Sequence, residues 1–235
     1  IRALWLRYQV LYFPDQALTH PQLERFTETL GPYGHDPFVT AVKGHRHILE
    51  VRREPGEHVV PFGSSWHSDW SFQAAPPSAT ILHSKIVPPV GGATHFADGI
   101  RALATLPIDL RRAIHGRSAI HSARRPYSHD GYRAGGKRTS MKIVPSDDAW
   151  QIQRHPVIRT HPESGRAALW INPVYTLAIE GMDPSESAEL LASLFEHMLQ
   201  PELIYKHRWE ENTLMMWDNR SVMHCAQGGY DGHRR

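Results

Sequence analysis

The apolar runs in this 235-residue chain are short and closed off by turn residues, and that punctuation limits the fold more than any other feature. Thr80 to Val87 is stopped by Pro88-Pro89 and Gly91-Gly92, while Val157 to Thr160 and Ala167 to Asn172 are joined by His161-Pro162-Glu163-Ser164-Gly165. Pro has no amide to give to a ladder and Gly admits turn conformations, so these runs read as strands entering tight connections. Leu203 to Trp209 alternates in strand fashion, Thr213 to Trp217 is a further strand, and Ile48 to Val51 is the best strand of the mixed region from Ala41 to Ser65. The helical patterns are grouped instead of alternating with these runs. One covers about residues 20 to 30, opened by Thr19, Pro21 and Gln22 and ended by Gly31. A short helix capped by Asp98 ends before Pro107, and Leu110, Ala113 and Ile114 give the next its apolar face. The last opens at Asp183-Pro184-Ser185-Glu186, turns Leu190, Leu191, Leu194, Phe195 and Met198 to one side, and stops at Pro201. Grouped helices argue against a doubly wound parallel sheet. The expectation is a mainly β chain with flanking helices, folded as a double-stranded β-helix, a two-sheet jelly roll.

With 40% hydrophobic residues the chain can core one domain over 1–235 and hardly two. Residues 121–150 are rich in Arg, Ser, Gly and Asp without a period and read as a long loop or lid. No apolar run reaches the roughly 18 residues of a membrane span. The net charge of +2 is scattered, so no nucleic-acid partner is implied. Cys225, alone, offers no disulfide framework, and the cytoplasm is the default compartment. The chain starts without Met, inside the apolar stretch Ala3 to Leu6, and stops directly after a motif-rich segment, so both ends are expected to be incomplete. Assembly into a homo-oligomer is left open.

In Trp66-His67-Ser68-Asp69, His67 and Asp69 are two apart, and on an extended strand both would emerge from one face. His224, after the β-rich Leu214 to Trp217 and the polar turn Asp218-Asn219-Arg220, can supply a third ligand. Two imidazoles and a carboxylate on one face of an octahedral ion leave three positions open, the arrangement associated with iron(II) oxygenases. Those positions admit a bidentate 2-oxo acid and dioxygen. With 17 His in the chain a His-x-Asp pair is weak by itself, and it also fits a structural His67–Asp69 contact. A zinc hydrolase with an open water position could use the same three ligands, and a non-catalytic 2-oxoglutarate-binding jelly-roll protein is the other alternative. Asp218, Asn219 and Arg220 read as strand-end scaffolding and Cys225 as a packing residue facing away from His224.

Four segments carry a resemblance: Trp66-His67-Ser68-Asp69; Pro88-Pro89-Val90-Gly91-Gly92-Ala93-Thr94; Arg159-Thr160-His161-Pro162-Glu163-Ser164-Gly165; and Trp217-Asp218-Asn219-Arg220 with His224, Tyr230 and Arg235. In these the chain resembles the taurine dioxygenase family, which also contains enzymes that cleave aryloxyacetate herbicides and alkyl sulfate esters. The resemblance implies an iron(II)- and 2-oxoglutarate-dependent dioxygenase that uses O2, hydroxylates a small organic substrate and releases succinate and CO2. It makes His67, Asp69 and His224 the catalytic metal ligands, Thr94 a hydroxyl donor to the far 2-oxoglutarate carboxylate, and Arg235 that carboxylate's salt-bridge partner. An Arg fork suits a buried carboxylate, with Arg234 the adjacent competitor.

For the substrate, the resemblance implies an anion such as a sulfonate, sulfate ester, aryloxy acid or amino-acid derivative. The position of the sulfonate-binding His of the taurine enzyme falls on Asp36, with His35 beside it, which argues against taurine itself. A substrate-binding Arg is expected just beyond Arg235. Tyr127 and Tyr175, with Phe62 and Gly63, are the expected pocket walls.

Overall fold

The computed structural model describes residues 1–58, 60–133 and 140–235. The apolar start of the chain forms α1 (Arg2–Tyr8) and β1 (Val10–Phe13), with Gln9 at φ 66° reversing direction between them. Next, α2 (His20–Glu28) begins where its cap requires: the Thr19 amide donates to Gln22 Oε1 at 2.8 Å. No strand forms over 48–51. Arg52 there reaches Glu50 and Glu54, and the Arg53 backbone exchanges hydrogen bonds of 2.8 and 3.1 Å with Arg235 at the far end of the chain. Such non-local pairing leaves no periodic trace.

The strand expected over 80–87 is the shorter β2 (Ala79–His83). After β3 (Thr94–Asp98), the Asp98 carboxylate accepts from the amides of Ile100 and Arg101 at 2.9 and 3.0 Å and starts α3 (Gly99–Ala104); α4 (Ile108–Ile114) follows. The described part of 121–150 contains regular elements. It holds the end of β4 (Ser118–Ser122), then α5 (Arg124–Tyr127) and a 3-10 turn at Asp147–Trp150, while part of the expected lid, 134–139, lies outside the described residues. Beyond β5 (Ile152–Pro156), the expected hairpin forms from β6 (Ile158–Thr160) and β7 (Ala167–Leu169), paired Ile158 to Leu169. The rest is β8 (Thr176–Ile179), α6 (Pro184–Met198), β9 (Ile204–His207), β10 (Leu214–Asp218) and β11 (Val222–Ala226). Among the described residues, no helix is long and apolar enough to cross a membrane.

The jelly-roll expectation is overturned. Among the described residues the strands form four separate antiparallel sheets, ordered β1-β10-β2, β11-β3-β9, β5-β4-β8 and β6-β7, and none of them closes into a barrel. Nor is the described chain mainly β, since among the described residues α-helices and strands claim equal shares, so the fold is a mixed one of helices and several small sheets. The physical reason lies in the connections: β10 sits between β1 and β2, and β3 between β9 and β11, partners far apart in sequence. A count of short antiparallel strands is the same for one wrapped pair of sheets and for several open ones.

Among the described residues three apolar clusters hold the sheets. The largest packs Leu190, Leu191, Leu194 and Met198 of α6 on Leu103, Leu169, Ile179 and Met223. Burying each such side chain contributes about 1.5–3 kcal/mol. A second cluster, Phe38, Phe72, Tyr127, Val174 and Tyr175, is aromatic, and a third joins Phe96, Trp209, Met215, Trp217 and Val222. Between β2 and β3, Gly91 (φ 65°) lies so close to the Gly228-Gly229 backbone that a Cβ would stand 2.4 Å from the Gly229 oxygen. Gly91→Ala is therefore expected to cost about 2–4 kcal/mol in chemical denaturation, combining left-handed strain with overpacking. Gly116→Ala (φ 68°), where nothing lies within 4 Å of the added Cβ, should cost only the strain.

Candidate metal centre

β11 is the central element of the site. On one side it pairs with β3, His224 opposite Phe96 and Ala226 opposite Thr94; on the other, His224 forms a bridge with His67. The two histidines exchange both backbone hydrogen bonds, His67 N to His224 O at 3.0 Å and His224 N to His67 O at 2.8 Å. Their rings lie 4.2 Å apart, centroid to centroid. Asp69 is not on a strand, as its spacing from His67 suggested, but opens a turn in which Trp70 takes φ 49°. The turn brings Asp69 Oδ1 to 3.4 Å from His67 Nε2 and 3.7 Å from His224 Nε2. One ligand atom from each of the three residues lies within 4.8 Å of the others.

The protonation states suit a cation. Burial pushes the His224 imidazole down to about 3, against the attraction of Asp69, so it is neutral with a free lone pair. For Asp69, burial acts to raise the pKa, but His224, His67 and the Thr80 hydroxyl outweigh it and hold the carboxyl well below the usual range. Each ligand is also aimed. His67 Nδ1 faces the Ser65 carbonyl at 2.7 Å, fixing Nε2 as the ligating nitrogen. Asp69 Oδ2 accepts from Thr80 Oγ1 at 2.6 Å, Thr80 accepts from Asn219 Nδ2 at 2.8 Å, and Asn219 Oδ1 accepts from the Asp69 amide at 3.2 Å. Thr80→Val keeps the shape but removes the donor. It should weaken iron(II) binding by about 10–100-fold in a competition titration, with the fold intact.

Asn219 is held in turn by a buried ion network. Asp218 accepts from His161 Nε2 at 2.9 Å and from Arg220 Nε and Nη2 at 2.7 Å each, and Arg220 reaches Glu163 at 2.6 Å. The β6–β7 connection thus clamps the β10–β11 turn, and Asp218 to Arg220 are the scaffolding their sequence implied. Cys225 is buried with its thiol on the Ser64 carbonyl at 3.1 Å.

A cavity of about 800 Å³ opens beside His67 and Asp69, and Phe62, Tyr127, Tyr175 and Asp36 also line it. Gly63 (φ 75°) packs on the His67 ring, 3.5 Å from its Cε1 to an added Cβ. Asp36 is consumed structurally, accepting from the amides of Phe38 and Val39 at 2.7 and 3.0 Å and from Trp70 Nε1 at 2.9 Å. His35 is exposed and does not line the cavity. Arg235 lines it and Arg234 also does, but Arg234 pairs with Glu54 at 3.3 Å, whereas no carboxylate pairs with Arg235 among the described residues. The Arg235 stem lies on Gly92, 3.4 Å from an added Cβ, at the loop leading to Thr94. Thr94 is buried; its Oγ1 accepts from Trp209 Nε1 at 2.9 Å and keeps its own proton to donate. Sequence reasoning missed Thr80 and Trp209, which carry no motif, and Arg133, a cavity-lining residue inside the aperiodic stretch.

Two imidazoles and one ionised carboxylate within reach of one ion, two of the three lining a cavity, fit a non-haem iron(II) centre. The family model described as "Taurine catabolism dioxygenase TauD, TfdA family" matches residues 1–235. The chain belongs to the TauD, TfdA family. It is 30% identical over 233 residues to an (S)-phenoxypropionate/alpha-ketoglutarate-dioxygenase of Sphingobium herbicidovorans, covering 96% of this chain and 79% of the relative. It is 32% identical to an alpha-ketoglutarate-dependent sulfate ester dioxygenase of Pseudomonas putida, covering 98% and 75%. The crystal structure of a taurine dioxygenase from Burkholderia xenovorans superposes with a TM-score of 0.77 at 30% identity, covering 97% of this chain and 72% of that one. With its three ligands, this TauD, TfdA family chain is a 2-oxoglutarate-dependent non-haem iron dioxygenase that takes Fe(II), 2-oxoglutarate and O2.

Proposed function

We propose that the enzyme hydroxylates a small organic anion with an apolar body, holding 2-oxoglutarate through Thr94 and Arg235. The observation that carries this reading is the cavity itself: it joins His67 and Asp69 to Arg235, a cation without a carboxylate partner among the described residues. Bound iron(II), with 2-oxoglutarate, supplies the activation of dioxygen and the oxidising power, and the chain supplies position. His67, Asp69 and His224 would occupy one face of the ion and leave three positions free. Arg235 would take the far carboxylate of 2-oxoglutarate as a bidentate partner, with the Thr94 hydroxyl donating beside it. The aromatic walls from Phe62, Tyr127 and Tyr175 would exclude water and aim the C–H bond. The relatives named for phenoxypropionate and for sulfate esters support an acidic substrate, and we favour aryloxy acids, sulfonates or sulfate esters over neutral molecules. The lone buried thiol of Cys225 suits a cytoplasmic enzyme.

The test is succinate release from 2-oxoglutarate with iron(II) and oxygen, measured with (S)-phenoxypropionate, taurine and hexyl sulfate against their neutral counterparts. Stimulation by at least one acid above its neutral counterpart is expected. Turnover with zinc under anaerobic conditions, without succinate, would instead mark a hydrolase.

A further inference from the structure

The cavity holds a second arginine that the metal and the co-substrate leave unused. Arg133 is 9% exposed and lines the cavity together with His67, Asp69, Tyr127 and Tyr175. Its guanidinium stacks 4.5 Å over the Phe62 ring, and its buried Nε–H has no hydrogen-bond partner. Among the described residues no carboxylate forms an ion pair with it. The other buried arginines near charge are treated differently: Arg220 is held by Asp218 and Glu163, and Arg53 by Asp231. A buried cation without a counter-charge is unfavourable by several kcal/mol, so the unmatched charge of Arg133 calls for an anion from outside the fold.

The acidic groups nearby are committed elsewhere. Asp36 is occupied by three donors, and Asp69 by Thr80 and the metal position. Burial, foremost, raises the Tyr127 and Tyr175 hydroxyls, so both stay protonated; the two hydrogen-bond to each other, which leaves one hydroxyl proton to donate to an anion. Two unmatched arginines therefore face one cavity, and 2-oxoglutarate has one free carboxylate to offer once its other end chelates the metal. We propose that Arg133 anchors the anionic head group of the substrate, with the Tyr127 and Tyr175 hydroxyls beside it and Phe62 holding the guanidinium plane. This rests on the dioxygenase reading and specifies which charge sets its substrate class. The head group sits on the Phe62 side of the cavity, and the apolar body extends from it towards the iron ligands.

The experiment is an anaerobic titration of the iron(II)–2-oxoglutarate absorption band with (S)-phenoxypropionate, taurine and hexyl sulfate, each beside a neutral counterpart, in wild type, Arg133→Gln and Arg133→Lys. Wild type should prefer at least one acid. Arg133→Gln should weaken that acid by at least about 30-fold and erase the preference over its neutral counterpart, with Arg133→Lys intermediate because charge returns without the planar fork. Should Arg133→Gln not fold, the Arg133→Lys affinity decides: a value equal to wild type overturns the assignment. An acid preference left intact in Arg133→Gln, or no acid preference in wild type, also overturns it. Absence of the band in wild type would be a failure of the dioxygenase reading, which is thereby told apart from a wrong assignment of Arg133.

Discussion

Asp69→Ala is expected to reduce succinate formation more than about 100-fold, beyond the loss seen when partners outside the ligand set are removed. Asp69 is the only anionic donor in the triad. It sits 3.4 and 3.7 Å from the two imidazole nitrogens, so without it two neutral ligands would face a divalent ion. Its loss should leave the fold standing, because Thr80 remains bonded to Asn219 at 2.8 Å and Asn219 keeps Trp217 Nε1 at 3.1 Å. Circular dichroism together with bound-iron analysis separates metal loss from unfolding. Succinate turnover within about tenfold of wild type in a folded variant would contradict the assignment of this carboxylate as a ligand.

Arg235→Gln should raise the KM for 2-oxoglutarate by about 30-fold or more, since truncating one member of a buried charged pair leaves the other charge unpaired. Arg235→Lys should fall between, keeping the charge but not the fork. Arg234→Gln is the internal control. That neighbour is half exposed and forms a partly exposed ion pair with Glu54 at 3.3 Å, so its removal should barely move the KM. If Arg234→Gln produced the large effect and Arg235→Gln the small one, the co-substrate would have to lie on the other arginine. The dissociation constant of 2-oxoglutarate, read anaerobically from its iron(II) band, checks that the KM change reflects binding.

The ligand set was legible only through several segments together: the His67-x-Asp69 pair was weak by itself, and the motifs shared with the taurine dioxygenase family singled it out with His224. Helix starts were legible locally. Asp98 and Asp183 accept from local amides and Gln22 accepts from the Thr19 amide, so the caps lie where the residues put them. Sheet architecture was not. The partners of β10 and β3 come from distant parts of the chain, and nothing in Leu214 to Asp218 encodes that β1 and β2 flank it. Asp69 shows the same limit in miniature, since spacing of two suits an extended strand and equally a turn in which Trp70 adopts φ 49°. Arg133 was hidden by composition: within an aperiodic, Arg-rich stretch a solvated arginine and a buried one look alike, and only the cavity tells them apart.

The backbone bridge between His67 and His224 has a bearing on how the ion is captured. Each histidine amide is tied to the other's carbonyl, at 3.0 and 2.8 Å, so the spacing of the two imidazoles is set by sheet register and not by the ion. The entropy of ordering these ligands is settled when the chain folds, not when the metal arrives, and preorganisation of that kind strengthens capture without adding a contact. It also makes the centre unforgiving. A rigid pair of jaws cannot widen for a larger cation or shift to a different coordination geometry, so discrimination among divalent metals would come from stiffness in the main chain as much as from the identity of the side chains.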